Sequence, residues 1–113
     1  MTDMITWNDF EKVDLRIGTI VEAKPYPEAR KPAYKLCIDF GSEIGIKKSS
    51  AQITVNYSLE DLNNKQVVCV VNFPPKQIGK FISEVLVTGF ADADGNIVLT
   101  SVNHELPNGA KLC

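Results

Sequence analysis

The stretch from Val67 to Leu86, VVCVVNFPPKQIGKFISEVL, constrains this chain more than any other part of it. The apolar run from Val67 to Val71 halts at Asn72, and Phe73-Pro74-Pro75-Lys76 follows at once. Proline has no backbone donor and fixes φ, so a sheet has to end there. A second strand-like run begins at Ser83. The segment between them holds an aromatic, two prolines, two lysines, Ile78 and Phe81, and is too apolar for an ordinary solvated turn. Two readings fit it: a binding lip, or a hydrophobic loop packed over the open end of its own barrel.

A chain of 113 residues fits one domain and can bury a core without disulfides. Its 44% hydrophobic and 23% charged residues are ordinary for a globular protein. No apolar run approaches the roughly 20 residues that span a bilayer, so membrane insertion is not expected. MTDMITWNDF places no cationic region before an apolar one, which predicts no secretory signal and a cytoplasmic location. Cys37, Cys69 and Cys113 are odd in number and widely spaced. That fits neither a disulfide framework nor a metal knuckle and predicts reduced thiols, with no metal and no cofactor.

The net charge of -2 argues against a protein that coats nucleic acid, which depends on many lysines and arginines. The charge is uneven. Residues 24–48 hold Lys24, Arg30, Lys31, Lys35, Lys47 and Lys48 against Glu28, Asp39 and Glu43, a local excess of +3, while residues 1–23 come to -3. One region could meet an anion, or the same residues form a solvated face of mixed charge.

Thr6 and Asp9 form a capping box, with Ile5 and Phe10 at the staple positions, which predicts a short helix from Trp7 to about Lys12. So short a helix cannot stand alone. Trp7 and Phe10 therefore pack against this chain's barrel or a partner's. From Val13 to Ala23 the positions Val13, Leu15, Ile17, Thr19, Val21 and Ala23 alternate with Asp14, Arg16, Gly18, Ile20 and Glu22, a half-buried strand with a bend or bulge at Gly18. Three prolines stiffen the loop from Lys24 to Pro32. A second strand sets Tyr34, Leu36, Ile38 and Phe40 opposite Lys35, Cys37 and Asp39, and Gly41 closes it.

Ile44 to Gln52 reads as a third strand. Ser58 and Asp61 repeat the capping signature, with Tyr57 and Leu62 as staple, and place a second short helix before the fourth strand, Gln66 to Asn72. A fifth strand runs from Ser83 to Phe90, and Asp92-Ala93-Asp94-Gly95-Asn96 turns the chain into Ile97–Thr100. Five main strands with a helix between the third and fourth match an all-β, five-stranded oligonucleotide-binding (OB) Greek-key barrel. The expected organisation is a single domain over 1–113, with an N-terminal helical extension (1–12), the barrel (13–100) and a C-terminal extension (101–113).

Catalytic residues are not evident. His104, the one histidine, lies in a polar stretch near the end, Ser49 and Ser50 have no local base motif, and Cys37 reads as a bystander thiol rather than a nucleophile. A non-enzymatic binding module is the expectation.

The ordered set Asp14-Leu15-Arg16-Ile17-Gly18, Pro27-Glu28-Ala29, Tyr57-Ser58-Leu59-Glu60-Asp61-Leu62, Val71-Asn72-Phe73-Pro74-Pro75-Lys76 and Ser83-Glu84-Val85-Leu86 resembles the tRNA-binding domain family over essentially the whole chain. That family includes the C-terminal domain of methionyl-tRNA synthetases, stand-alone structure-specific tRNA-binding proteins and the endothelial-monocyte-activating polypeptide. Pro27 to Tyr34, Lys48 to Thr54 and Asn72 to Lys76 resemble its branch of secretion-related bacterial chaperones. The resemblance implies an OB-fold homodimer that holds unfolded or precursor polypeptides for export, in contact with export machinery, with tRNA or structured RNA as the alternative partner.

Departures from the family pattern shift the balance. The tRNA-binding relatives carry a basic Leu-Lys-Pro-Arg-like segment where this chain has Phe73-Pro74-Pro75-Lys76, and Ser-Gln-Gly-Met where it has Ser83-Glu84-Val85-Leu86. An acid in place of an amide raises the cost of approaching phosphate, and Phe with two prolines adds apolar surface. The expected peptide site is Phe73, Pro74, Pro75, Lys76, Ile78, Phe81, Ser83 and Glu84. The alternative RNA site is Arg30, Lys31, Lys47, Lys48, Asn72, Lys76, Lys80 and Ser83. Trp7 and Phe10 before the barrel, with Val102, Leu106 and Leu112 after it, are the expected dimer contacts.

Overall fold

Period-two alternation folds into strand at each of the places it marks. The computed structural model describes residues 3–113, so the extension assigned to 1–12 begins on two residues that lie outside the described ones. Among the described residues β-structure accounts for 39% and helix for 8%. The elements are α1 (Trp7–Glu11), β1 (Leu15–Pro25), β2 (Tyr34–Asp39), β3 (Ile46–Ala51), α2 (Leu59–Leu62), β4 (Gln66–Val70), β5 (Lys76–Ile78), β6 (Phe81–Ser83), β7 (Leu86–Val87), β8 (Gly89–Ala91) and β9 (Ile97–Leu99). Both helices open on the expected reciprocal capping boxes, Thr6 with Asp9 and Ser58 with Asp61. Backbone hydrogen bonds at these caps hold both carboxyls below the usual carboxylate range.

One antiparallel sheet runs in the order β3-β2-β1-β4-β7. It curls until β3 meets the segment before β7, where the Glu84 N–H donates to the Lys48 carbonyl at 2.7 Å. The result is the nearly closed, OB-like barrel. Its core holds Ile20, Leu36, Ile38, Phe40, Ile53, Val67, Cys69, Val85 and Leu99, with Leu62 of α2 fully buried among them. Burial pushes the Cys69 thiol up to about 12.

The long strand β1 serves two neighbours. Its first half pairs with β4 and its second with β2, and the register shifts between Ile20 and Glu22. The irregularity therefore lies at Val21, not at Gly18 as expected. A bulge reverses which side chains face inward: Gly18 and Ile20 are buried before it, while after it Glu22 is exposed and Ala23 packs on the core. Gly18 has a different reason to be glycine. A Cβ there would lie 2.5 Å from Ile38 Cγ2 and 2.7 Å from a ring carbon of Phe40.

Two further expectations change. The segment after the prolines is not irregular: β5 and β6 pair as a hairpin, Lys76 with Ser83 and Ile78 with Phe81, around Gly79 at φ +64°. Proline ends the barrel strand but leaves the donors of Lys76 to Ile78 available, and glycine supplies the positive φ of a two-residue turn. The single fifth strand is in fact three. β6 belongs to that hairpin, β7 to the barrel, and β8 to a second hairpin with β9 across the Asp92–Asn96 turn.

The C-terminal tail folds back on β1. Ile17 N–H donates to Ala110, Gly109 N–H to Ile17 and Leu112 N–H to Leu15, along the part of β1 that β2 does not reach. Replacing Gly18 by Val should overpack this junction and lower stability by about 1–3 kcal/mol, read as an earlier urea midpoint. An unchanged midpoint would show that Ile38 and Phe40 have room to yield.

Candidate functional site

Beside the barrel seam the two sheet edges border a groove of about 790 Å³. One wall is the end of β3 and the residues after it, Ser50 to Ile53; the other runs from Val85 through β7 to Gly89. Phe73, Pro74, Lys76, Ile78, Ser83 and Glu84, all named from sequence, line it together with Ile97. Pro75 and Phe81 do not. Phe81 lies against Tyr26, with ring centroids 5.7 Å apart, and the Tyr26 hydroxyl donates to the Ile78 carbonyl, which braces the β5–β6 hairpin. Phe73 is 53% exposed at the rim.

Several expected ligand groups are occupied by the chain itself. Glu84 accepts the Lys48 N–H at 3.0 Å, and Ser83 Oγ accepts the Ser50 N–H at 3.2 Å. Buried Ser49 donates to the Val85 carbonyl at 3.0 Å. These side chains complete the seam where a regular ladder is missing. Asn72 is a clasp: its side chain accepts the Asp14 N–H at 3.1 Å and donates to the Lys12 carbonyl at 2.7 Å, fixing the passage from α1 to β1.

The basic residues divide. Lys48 stands over the Phe81 ring at 5.5 Å and Lys35 over Tyr26 at 5.2 Å, forming a cation-aromatic patch outside the groove. Lys47, adjacent to Lys48 on β3, takes the opposite face by the pleat. Arg30 and Lys31 sit in the bends between β1 and β2, and Lys80 at the tip of the β5–β6 hairpin; all three are exposed. Lys35 had not been singled out as a ligand, although its alternation with Leu36 already set it on the outer face. The groove wall at Gln52, Ile53, Leu86 and Thr88 was also missed.

Burial, and then the nearby Glu22 carboxylate, raise the Cys37 thiol, the reverse of what activates a nucleophile. His104 is exposed. Among the described residues no helix is long and apolar enough to cross a membrane, and no cluster of three metal-ligating side chains occurs.

At the termini, Trp7 and Phe10 stack at 5.3 Å with tilted rings, and Trp7 stays 63% exposed. Val102, Leu106 and Leu112 are also exposed, even though the tail's backbone is tied to β1.

The family model described as "Putative tRNA binding domain" matches residues 15–111. Methionine-tRNA ligase 1 of Bacillus cereus is 34% identical over 96% of this chain, and the Methanocaldococcus jannaschii ligase 33% identical over 90%. The chain spans only 16% and 15% of those two proteins. The chaperone CsaA of Bacillus anthracis superposes with a TM-score of 0.91 at 53% identity, covering 98% of this chain and 100% of that one. The CsaA chaperone protein of Picrophilus torridus gives 0.90 at 55% identity, covering 97% and 100%. With the barrel, the capped helices and these likenesses together, the chain belongs to the tRNA-binding domain family, on the side of the CsaA structures.

Proposed function

We propose that the protein is a non-enzymatic chaperone that holds unfolded or precursor polypeptides in the groove between β3 and β7. The observation that carries this reading is a large open groove lined mainly by apolar side chains, with Phe73 and Pro74 at its rim and the hairpin residue Ile78 beside them. Burying client side chains there contributes about 25 cal/mol per Å² with little demand on sequence. Ser83 and Glu84, spent on the seam, shape the floor rather than select a ligand. The likeness to two CsaA chaperones supports the same reading. It extends to a cytoplasmic role in protein secretion, in which clients pass to export machinery.

The cation-aromatic patch favours a second reading, the binding of tRNA or structured RNA on the outer face of β2 and β3. Lys35 and Lys48 would meet phosphate there, and half-buried Phe81 would offer a ring, while buried Tyr26 supports it from beneath. Arg30, Lys31 and Lys80 are the exposed cations that could extend it. One pair of variants separates the two readings. Phe73→Ser should weaken protection of a denatured client at least about tenfold, with tRNA binding unchanged. Lys48→Gln, which leaves the Tyr26–Phe81 support of the hairpin in place, should do the reverse, and only the tRNA complex should weaken steeply as salt rises. Client protection that survives Phe73→Ser would remove the groove from the proposal.

The exposed side chains of Trp7, Val102, Leu106 and Leu112 support a homodimer, in which they and half-buried Phe10 would be covered by a second copy. Two grooves on one assembly raise the effective concentration of a second client segment once the first is held. Sedimentation should show a dimer for the intact chain and a monomer after removal of residues 1–12. A monomeric parent, or a truncated form that dimerises as well, would contradict this arrangement.

A further inference from the structure

The β7 wall of the groove has an unpaired strand edge. Leu86 lies opposite Val70 and Val87 opposite Cys69, while the Thr88 N–H donates to the Val68 carbonyl at 3.0 Å. In an antiparallel ladder successive residues turn their N–H and C=O to opposite sides. Leu86 and Thr88 therefore face β4, and the N–H and C=O of Val87 face the groove. β7 ends the sheet order and pairs with β4 alone, so no ladder covers that side of Val87, which is half-buried. Farther back the seam meets β3 through Glu84 and Ser83, whereas no strand is paired with the outer edge of β7. A backbone donor and acceptor thus open together into an apolar cleft, where an unmet pair is costly.

We propose that the groove takes its client by strand addition: an extended polypeptide pairs its backbone with the N–H and C=O of Val87 and sends alternate side chains toward Phe73 and Ile53. This rests on the groove being the polypeptide site and states how that site recognises its ligand. Charge selects the occupant. Lys76 and Glu84, one of each sign, are the charged residues lining the groove, so a neutral extended backbone is matched and a polyanion is not. Every polypeptide carries the same backbone pattern, which explains how one short edge could serve clients of unrelated sequence.

The test uses the intact protein and an octapeptide of alternating valine and threonine with one terminal lysine and a fluorophore. Two derivatives carry N-methyl groups, one on the valines and one on the threonines. Strand addition on one edge uses the N–H groups of a single parity, so one derivative should bind about tenfold or more weakly and the other like the parent. Phe73→Ser should weaken the parent as well. If the parent binds and both derivatives match it, strand addition is wrong while the groove stands as an apolar site. A parent that does not bind, or binds equally to the Phe73→Ser protein, overturns both readings.

Discussion

The closure between β3 and the segment from Ser83 to Val85 is the contact on which the rest of the molecule depends. A five-stranded sheet with antiparallel neighbours throughout has two open edges, and here they meet without a ladder between β3 and β7. The main-chain bond from Glu84 to Lys48 is supplemented by the Glu84 carboxylate, the Ser83 hydroxyl and the Ser49 hydroxyl. Side chains can satisfy an edge over a short distance but cannot carry a ladder along it. No ladder joins Ser50–Ile53 on one side to Val85–Gly89 on the other, and the groove lies between them.

What keeps those edges in place lies elsewhere in the fold. Gly18 lets β1 approach Ile38 and Phe40, and the bulge at Val21 turns the strand so that its second half can follow β2 around the barrel. Tyr26 reaches from the β1–β2 loop to the carbonyl of Ile78 and holds the hairpin against the rim. The same tyrosine stacks on Phe81 beneath Lys35, so the apolar groove and the basic patch share a support while facing different solvent.

The features legible in the sequence were the local ones. Both capping boxes, the Asp92–Asn96 turn and the strand alternation depend on residues within a few positions of one another. The bulge was not legible, because the change of inward parity from Ile20 to Ala23 is decided by which strand each half of β1 meets. The β5–β6 hairpin was hidden behind Pro74-Pro75, whose effect on the preceding strand is strong but ends with the prolines. Half of the groove was visible as an apolar segment too long for a turn. Its other half, Gln52, Ile53, Leu86 and Thr88, comes together through a contact between residues more than thirty positions apart in the chain, which no local pattern announces. Asn72 matched a family motif, yet its amide is spent on Asp14 and Lys12.

An apolar groove beside, but not within, a basic patch gives the family's barrel two surfaces with different chemistry. The central claim is that unfolded chains occupy the first of them. The most direct measurement is amide chemical-shift mapping of the labelled protein while a permanently unfolded client is added. The account predicts shifts concentrated at Gln52, Phe73, Val87 and Thr88, with Lys35, Lys48 and Phe81 little changed; shifts confined to those last three would place the client on the basic patch and contradict it.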